Sequence, residues 1–594
     1  MRIKFIISLF ILVWISLLTR IFYLSIQSNN YYEHLSSQNS TKVKFIPPVR
    51  GEILDRKLRP IAINKLGFKI QLKPHLRSKK NLPKLYEEVD NIVSLIPTLH
   101  REKLIKTYLK KDSYYNHEFI DVVDFITYEE IMPVYTKLNL RENLNIMSAP
   151  KRYYPNAELA THVIGYVAKA NKADIEKDDT VKLIGKVGRT GIEKYYNDFL
   201  QGEAGQRVLK VSAKNELIKE LSYKAPLEDR QLVLGIDIEL QKYISKLFKG
   251  KVGAVVVMNV DGTIISAGSF PEYNPNLFVS GISTKDWKKL ISNVDKPFTN
   301  KLINGLYPPG STIKTGLGLI YITTDINEWW KVKCTASFEL GDRNFRCWKE
   351  KGHHGTDINK AIRESCDDYF YKASVKVGIA KMSEGLRRFG LGKKTGIDLP
   401  REFVGTVPSR MWKREKYNRP WYIGETLNSS IGQGDSLSSP MQITRFTALM
   451  ATGKLPTPHI ATEIGGQKVE AVYEDILTPE EKKKLPLIQK AMKEVCNHPR
   501  GTATRYLSSK VKMAGKTGTA QVVGIAQDVK KRLKEDQMEY YKRSHAWFTS
   551  YAPYNNPQYV VTVLVEHGGH GGSAAGAITS KIYNKLLKLG YIKK

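Results

Sequence analysis

Residues Phe5 to Leu18 (FIISLFILVWISLL) are apolar without a break, and after Thr19 and Arg20 the apolar character resumes through Ile26. Crossing the hydrocarbon core takes about 20 helical residues, so Phe5 to Ile26 suffices if Arg20 extends its guanidinium towards an interface. The stretch constrains everything after it: the chain is tethered at one end and folds its remainder in water. Arg2 and Lys4 ahead of it favour an N-in orientation, which sends the rest of the chain across the membrane. A cleaved signal peptide and a buried helix of a soluble domain are the rival readings. Cleavage calls for small residues after the apolar stretch, yet the first alanine is Ala62. A retained anchor over residues 1–27 is the reading taken forward.

Lys and Arg number 93 against 59 Asp and Glu, a formal charge of +34. Basicity of this size suits an anionic surface or a nucleic acid. The basic residues are scattered, with no zinc-finger spacing, aromatic RNP-like strand or basic arm, so no nucleic-acid partner is expected. The densest run, Lys530 to Lys534, is followed by Glu535 and Asp536 and reads as a solvated loop. Four cysteines exclude a disulfide scaffold.

From about Asn29 to Arg230 the sequence mixes short strand-like and helical pieces. Leu82, Leu85, Val89, Ile92, Val93 and Ile96 recur at helical spacing, and Thr127 with Glu130 reads as a capping box. The spacing places no catalytic constellation in this region, a mixed α+β segment over residues 28–230. Beyond it, Ala254–Val260 and Thr263–Ser269 flank Asp261-Gly262, a hairpin signal. His545–Tyr551 and Tyr559–Val565 form a second strand pair, and Ala574–Leu589 reads as a terminal helix stopped by Gly590. The economical topology for residues 231–594 is an α+β domain: one antiparallel sheet assembled from both ends, with helices packed on it.

Three motifs carry chemistry. In Pro308-Pro309-Gly310-Ser311-Thr312-Ile313-Lys314 the prolines hold the chain extended, Gly310 permits a sharp turn, and Thr312–Ile322 is expected to be helical. Ser311 then sits at a helix N-terminus with Lys314 one turn on, where a desolvated amine serves as the base that makes a hydroxyl nucleophilic. Ser365-Cys366-Asp367 falls within an expected helix Ile358–Val377. A hydroxyl at Ser365 relays a proton between the lysine and a leaving amine, and Asp367 hydrogen-bonds the site lysines. Lys516-Thr517-Gly518-Thr519 is expected on a strand, where Lys516 and the threonines bind a substrate carboxylate and Gly518 gives a substrate backbone room. A second Lys-Thr-Gly at Lys394–Gly396 lies in a loop-like stretch and reads as structural. Serine-lysine, serine and lysine-threonine-glycine in this order are the known signature of penicillin-binding proteins and class A β-lactamases.

Cys334, Cys347, His353 and Cys366 give C-x12-C-x5-H-x12-C. Three thiolates and an imidazole make a closed tetrahedral zinc set of the structural kind. A Cys334–Cys347 disulfide and free thiols are the alternatives, and His354 competes with His353. Cys496 reads as a buried free thiol, and His567 and His570 as residues of a loop after a strand.

Arg50-Gly51 with Asp55-Arg56, Arg152-Tyr153-Tyr154-Pro155 followed by His162, Gly165 and Tyr166, and Gly188 with Gly191 and Glu193 are similar to the N-terminal boxes of class B penicillin-binding proteins, which β-lactamases lack. Trp421–Gly434 (WYIGETLNSSIGQG) and Asp367, where many relatives have asparagine, resemble the elongation branch of that family, penicillin-binding protein 2, with the division-specific branch as near alternative. The resemblance implies a membrane anchor, an elongated mixed α/β pedestal for dimerisation or partner binding, and a transpeptidase domain with a five-stranded antiparallel sheet between helices. It implies D,D-transpeptidation of peptidoglycan, with a carboxypeptidase side activity. Ser311 attacks the penultimate D-Ala of a stem peptide, Lys314 is the base, Ser365 passes the proton to departing D-Ala, and Lys516, Thr517 and Thr519 hold the terminal carboxylate. N–H groups of Ser311 and Thr519 form the oxyanion hole, and β-lactams acylate Ser311. A β-lactamase or a β-lactam sensor is the alternative of another class. Glu425-Thr426-Leu427-Asn428 is one residue short of the E-x-x-L-N deacylation motif, and no signalling domain is visible. Some relatives hold zinc beside the same serine helix, and Arg346–Gly355 looks similar to their loop. A SEDS-family glycan polymerase of the RodA type, elongation scaffold proteins and an extracytoplasmic, periplasmic catalytic domain on the inner membrane complete what the resemblance implies.

Overall fold

The computed structural model describes residues 2–27, 40–116, 118–212, 217–228, 230–524 and 533–593. Lys530 to Arg532 of the basic run lie outside them. Helix α1 (Arg2–Phe22) runs into a π turn at Tyr23–Gln27. Ile3–Ile26 is the one helical stretch among the described residues long and apolar enough to cross a membrane, and none of it is buried.

The chain forms two compact units. The first comprises residues 1–50, 170–186 and 201–229. Beside α1 it holds an antiparallel sheet of Thr41–Ile46, Gly205–Val211 and Leu217–Lys224, the last exposed along its whole length. Asp178 caps Asp179–Ile184 there by accepting from Thr180 N–H and Val181 N–H.

The second unit comprises residues 51–169, 187–200 and 230–594. Part of it is a three-stranded sheet, Gly67–Leu72 between Ile120–Thr127 and Leu144–Ser148, with its own core of Ile70, Leu85, Val89, Ile92 and Tyr108. The expected helix occurs as Leu82–Leu95, and the expected box at Thr127 and Glu130 caps Tyr128–Ile131.

Three sequence boxes far apart in the chain converge on one buried network. Arg152 Nε lies 2.7 Å from Glu193 Oε1 with both side chains almost fully buried, Arg152 Nη1 donates to Gly51 O at 2.8 Å, and Tyr154 Oη donates to Glu193 at 3.0 Å. Gly165 is left-handed (φ +78°), and a Cβ there would lie 1.8 Å from Thr190 O. Asp55, from the first box, accepts from Lys57 N–H, Arg59 N–H and the Arg59 guanidinium, and Ile238 N–H at the start of α2 (Ile238–Leu247) donates to it at 3.3 Å.

The largest core surrounds a five-stranded antiparallel sheet. Strands β1 (Gly253–Asn259) and β2 (Ile264–Phe270) form the expected hairpin, closed by Thr263 N–H donating to Asp261 Oδ1 at 2.8 Å. Between the two parts of the sheet the chain forms helix α3 (Lys314–Ile322), helix α4 (Ile358–Arg363), and helix α5 (Asp367–Arg388), interrupted at Gly378. Helix α6 (Pro440–Thr452) is buried along most of its length, and α7 (Pro479–Asn497) carries the buried free Cys496. The chain ends with strands β3 (Ala514–Ala520), β4 (His545–Ala552) and β5 (Tyr559–Val565) and helix α8 (Ala577–Lys588). Strand order is β2-β1-β5-β4-β3, so the sheet is built from both ends of the domain as expected, with β3 at an edge. Successive residues of a strand face opposite sides. On β4, Thr549 pairs with Thr447 of α6 while Ser550 contacts Tyr583 of α8, so these helices cover opposite faces. Continuous burial of β1, β2 and β5 follows.

Asp237 caps α2 and joins this core to the first box: it accepts from Glu239 N–H, Arg59, Lys57 and Tyr591. Burial pushes its carboxyl up, but these donors outweigh burial and hold it well below the ordinary 3.8. A depressed carboxylate contributes stability above its unfolded value and loses it as pH falls through the folded one. Asp237→Asn is therefore expected to cost about 2 kcal/mol at neutral pH and to flatten the loss of stability below about pH 4, read by thermal melting of the detergent-solubilised chain against pH.

Candidate active site

Ser311 lies half-buried in a 3₁₀ turn, Gly310–Ile313, that feeds α3. The turn is wedged against edge strand β3. Gly310 is left-handed (φ +56°), and a Cβ there would stand 2.8 Å from Thr519 O. A Cβ on Gly518 would meet Thr312 Cγ2 at 2.8 Å and Pro309 O at 3.1 Å. Glycine at 518 therefore makes room for the serine turn, where the sequence reading had it make room for substrate. Gly310 N–H donates to Gly432 O at 2.9 Å, and Gln433 Nε2 donates to Thr519 O at 2.9 Å, so the Trp421–Gly434 stretch braces the same corner. Sequence reasoning quoted that stretch for resemblance only; its GQG spacing was the available signal.

Lys314 and Lys516 are both fully buried. Lys314 Nζ donates to Asp367 Oδ1 at 2.6 Å and to Ser365 O at 3.2 Å. Lys516 Nζ donates to Ser365 Oγ at 2.9 Å and to Thr517 O at 2.9 Å. The three motifs thus meet at Ser365. Burial, then the charge of Lys314, holds Lys516 well below the ordinary lysine range, and burial raises Asp367 against the pull of Lys314. An amine so disfavoured as a cation exchanges protons readily with a bonded hydroxyl. Thr517 Oγ1 lies 2.8 Å from Thr502 Oγ1, a neighbour the sequence did not flag, while Thr519 is half-buried.

One expected element is different. Residues 358–377 are not one helix: α4 stops and α5 starts anew, with Ser365 between them at φ +55°. Ser365 N–H donates to Ile362 O and Cys366 N–H to Ala361 O, the paired closure in which the left-handed position is ordinarily glycine. Local rules favour glycine there, so serine hid the break. The strain, about 1–2 kcal/mol, is held where the side chain accepts from buried Lys516.

Cys334, Cys347, His353 and Cys366 are all buried, and their ligand atoms lie within 4.8 Å of one another. His354 is exposed, so burial decides between the two histidines. No disulfide joins the cysteines. His353 Nδ1 stands 3.5 Å from Cys347 Sγ and 3.7 Å from Cys334 Sγ. Tetrahedral zinc, with bonds of about 2.3 Å to sulfur and 2.0 Å to nitrogen, sets such S···N edges at about 3.5 Å, so the residues fit the ion. Hydrogen bonds among the thiols hold Cys334 and Cys347 below the ordinary thiol range and push Cys366 above it.

The remaining sequence candidates fall elsewhere. Lys394–Gly396 lies in a loop where Glu402 accepts from Thr395 N–H, Thr395 Oγ1 and Gly396 N–H. The Glu425 carboxylate is engaged by Lys413 and by Tyr422 N–H. His567 and His570 lie in the turn after β5.

Ser365→Gly is expected to leave stability within about 1 kcal/mol of wild type, relief of the left-handed strain being offset by loss of the hydroxyl that accepts from buried Lys516, and to slow acylation by penicillin about 100-fold or more. Melting curves and stopped-flow acylation of the same preparation check both outcomes.

Residues 253–588 match the penicillin-binding protein transpeptidase domain, and residues 45–234 the penicillin-binding protein dimerisation domain. The peptidoglycan D,D-transpeptidase MrdA of Haemophilus influenzae is 33% identical over 592 residues, covering 96% of this chain and 89% of the relative. Penicillin-binding protein 2 of Helicobacter pylori, solved in complex with MreC, is 42% identical with a TM-score of 0.86, over 93% of this chain and 99% of that one. A chain from a peptidoglycan synthase complex that coordinates polymerization and crosslinking is 25% identical with a TM-score of 0.71, over 100% and 99%. With a transpeptidase match over more than half its length, a dimerisation domain ahead of it, and these relatives end to end, the chain belongs to the class B penicillin-binding proteins.

Proposed function

We propose that the protein is the elongation D,D-transpeptidase of its cell, anchored by residues 1–27 in the cytoplasmic membrane with the catalytic domain outside. Residues 28–230 are its pedestal and 231–594 its catalytic domain. The observation that carries the reading is the convergence of two buried amines on Ser365, with half-buried Ser311 in the turn that leads into Lys314.

Lys314 takes the Ser311 proton as Oγ attacks the carbonyl of the penultimate D-Ala. N–H groups of Ser311 and Thr519 hold the developing oxyanion, at about 3 to 4 kcal/mol for each such donor. Lys516, Thr517 and Thr519 bind the terminal carboxylate. Ser365, bonded to Lys516 and linked through its carbonyl to Lys314, returns the proton to the D-Ala amine as the C–N bond breaks. An amine of a second stem peptide then attacks the acyl-enzyme, and Ser311 leaves. With the Glu425 carboxylate committed to Lys413 and Tyr422, no carboxylate of an E-x-x-L-N kind is offered to a deacylating water, which favours the transpeptidase over a β-lactamase. β-Lactams mimic the donor and stay on Ser311.

Cys334, Cys347, His353 and Cys366 are the residues that would hold a structural zinc ion, whose part is to let three thiolates share one buried site and fix the start of α5. By analogy with the solved relatives, an MreC-like scaffold and a SEDS-family polymerase of the RodA type are the partners in the membrane.

Treatment of the detergent-purified chain with penicillin is expected to add one covalent equivalent, stable over time by intact mass and absent in Ser311→Ala. Label that survives that change, or that is lost rapidly from the wild type, would overturn the reading. Metal analysis of the same preparation is expected to find one zinc per chain, lost on Cys366→Ser together with thermal stability; a metal-free wild type ends the zinc assignment.

A further inference from the structure

The loop between Cys347 and His353 contains a residue that the chemistry above does not use. Trp348 is 51% exposed, flanked by Lys349, Glu350 and Lys351, so burial of its ring does not account for its place. Its hydrogen bonds do. Trp348 N–H donates to Asp367 Oδ2 at 3.0 Å. Its indole Nε1 donates to Glu364 O at 3.0 Å and to Ser365 O at 3.1 Å. Asp367 and Ser365 O are the two acceptors of Lys314 Nζ, so one residue grips both from the side away from the lysine.

We propose that Trp348 is a positioning residue for acylation, which fixes the Asp367 carboxylate and the Ser365 carbonyl so that Lys314 keeps one tetrahedral position of Nζ for Ser311. A lysine amine offers four positions, one taken by its own carbon. Two are committed to the acceptors that Trp348 holds, and the last is left for the serine hydroxyl. Loosening either acceptor lets Nζ rotate and lowers the fraction of molecules in which base and nucleophile are aligned. The Trp348 ring is set in turn by His353, with centroids 5.6 Å apart, and by the backbone of Cys347 next to it. This inference rests on the proposed roles of Ser311 and Lys314.

The plain structural alternative is that the indole merely caps the carbonyls at the end of α4. The two readings differ in what they move, and the test uses the full chain in detergent. Penicillin binding and the acylation step are separated by stopped flow in the wild type and in Trp348→Phe, which keeps an aromatic ring, though a smaller one, and removes the N–H. A variant with benzothienylalanine at 348, which replaces only that N–H by sulfur, is measured beside it. The loss of one positioned hydrogen bond is expected to slow the acylation step about 5- to 10-fold in both, with the dissociation constant, melting temperature and metal content unchanged. Acylation within twofold of wild type overturns the inference. So does a fall matched by lost metal or a lowered melting temperature, or one seen with phenylalanine and not with the isostere. Wild type, Ser311→Ala and Lys314→Ala run in parallel keep the two levels apart. If the wild type is not acylated at Ser311, or Lys314→Ala acylates normally, the proposed function falls and the positioning role falls with it. If they behave as expected and the Trp348 variants match the wild type, the positioning role alone falls.

Discussion

Burying an amine requires acceptors, and this site buries two with side chains screened fully from water. Ser365 serves both, with its carbonyl accepting from Lys314 and its hydroxyl from Lys516. In a continued helix that carbonyl would be shared with the N–H of the next turn. The left-handed turn at 365 frees that carbonyl, ends α4 and restarts the chain as α5 with Asp367 in its first turn, facing Lys314. The placement of Asp367 and the pairing of the two lysines both follow from one residue held where glycine is ordinarily found.

Strain of that kind persists only where the surroundings over-determine it. On one side stand β3 and the serine turn, pressed together at Gly310 and Gly518, where no Cβ fits. On the other stands the cluster of three thiols and an imidazole, whose Cys366 directly follows the strained residue. Trp348 spans the gap between the cluster and the lysine's acceptors. Each brace comes from a different part of the chain, so no single local segment carries the conformation.

That division also explains what the sequence could disclose. Residues close in sequence declared themselves: the Asp261-Gly262 hairpin, the Thr127 capping box, the serine and lysine one turn apart, and the second Lys-Thr-Gly whose loop setting marked it as structural. The cysteine spacing named residues that the fold gathers within 4.8 Å of one another, but the choice between His353 and His354 awaited burial, which adjacent letters do not encode. Reasoning failed where the cause was tertiary. Gly518 answers to Thr312 and Pro309, some 200 positions away. The break at Ser365 was hidden because helix-stop rules look for glycine. The convergence of Arg152, Gly51 and Glu193 was equally invisible, since family boxes mark residues without saying that they touch.

The same logic separates the two kinds of cation in a chain with a charge of +34. A surface lysine is solvated and interchangeable, and its number says little about chemistry. A buried one is defined by what accepts from it, and here the acceptors form a path of contacts, Asp367 and the Ser365 carbonyl on Lys314 and the Ser365 hydroxyl on Lys516. The backbone carbonyl relays no proton, so through it the two lysines are coupled in position, and the contact able to exchange a proton is the one between Lys516 and the Ser365 hydroxyl. Because every member of the path is held by a partner outside it, the rigidity of the site is a property of the enclosing fold, and a change remote from Ser311 reaches the nucleophile only by shifting one of those partners.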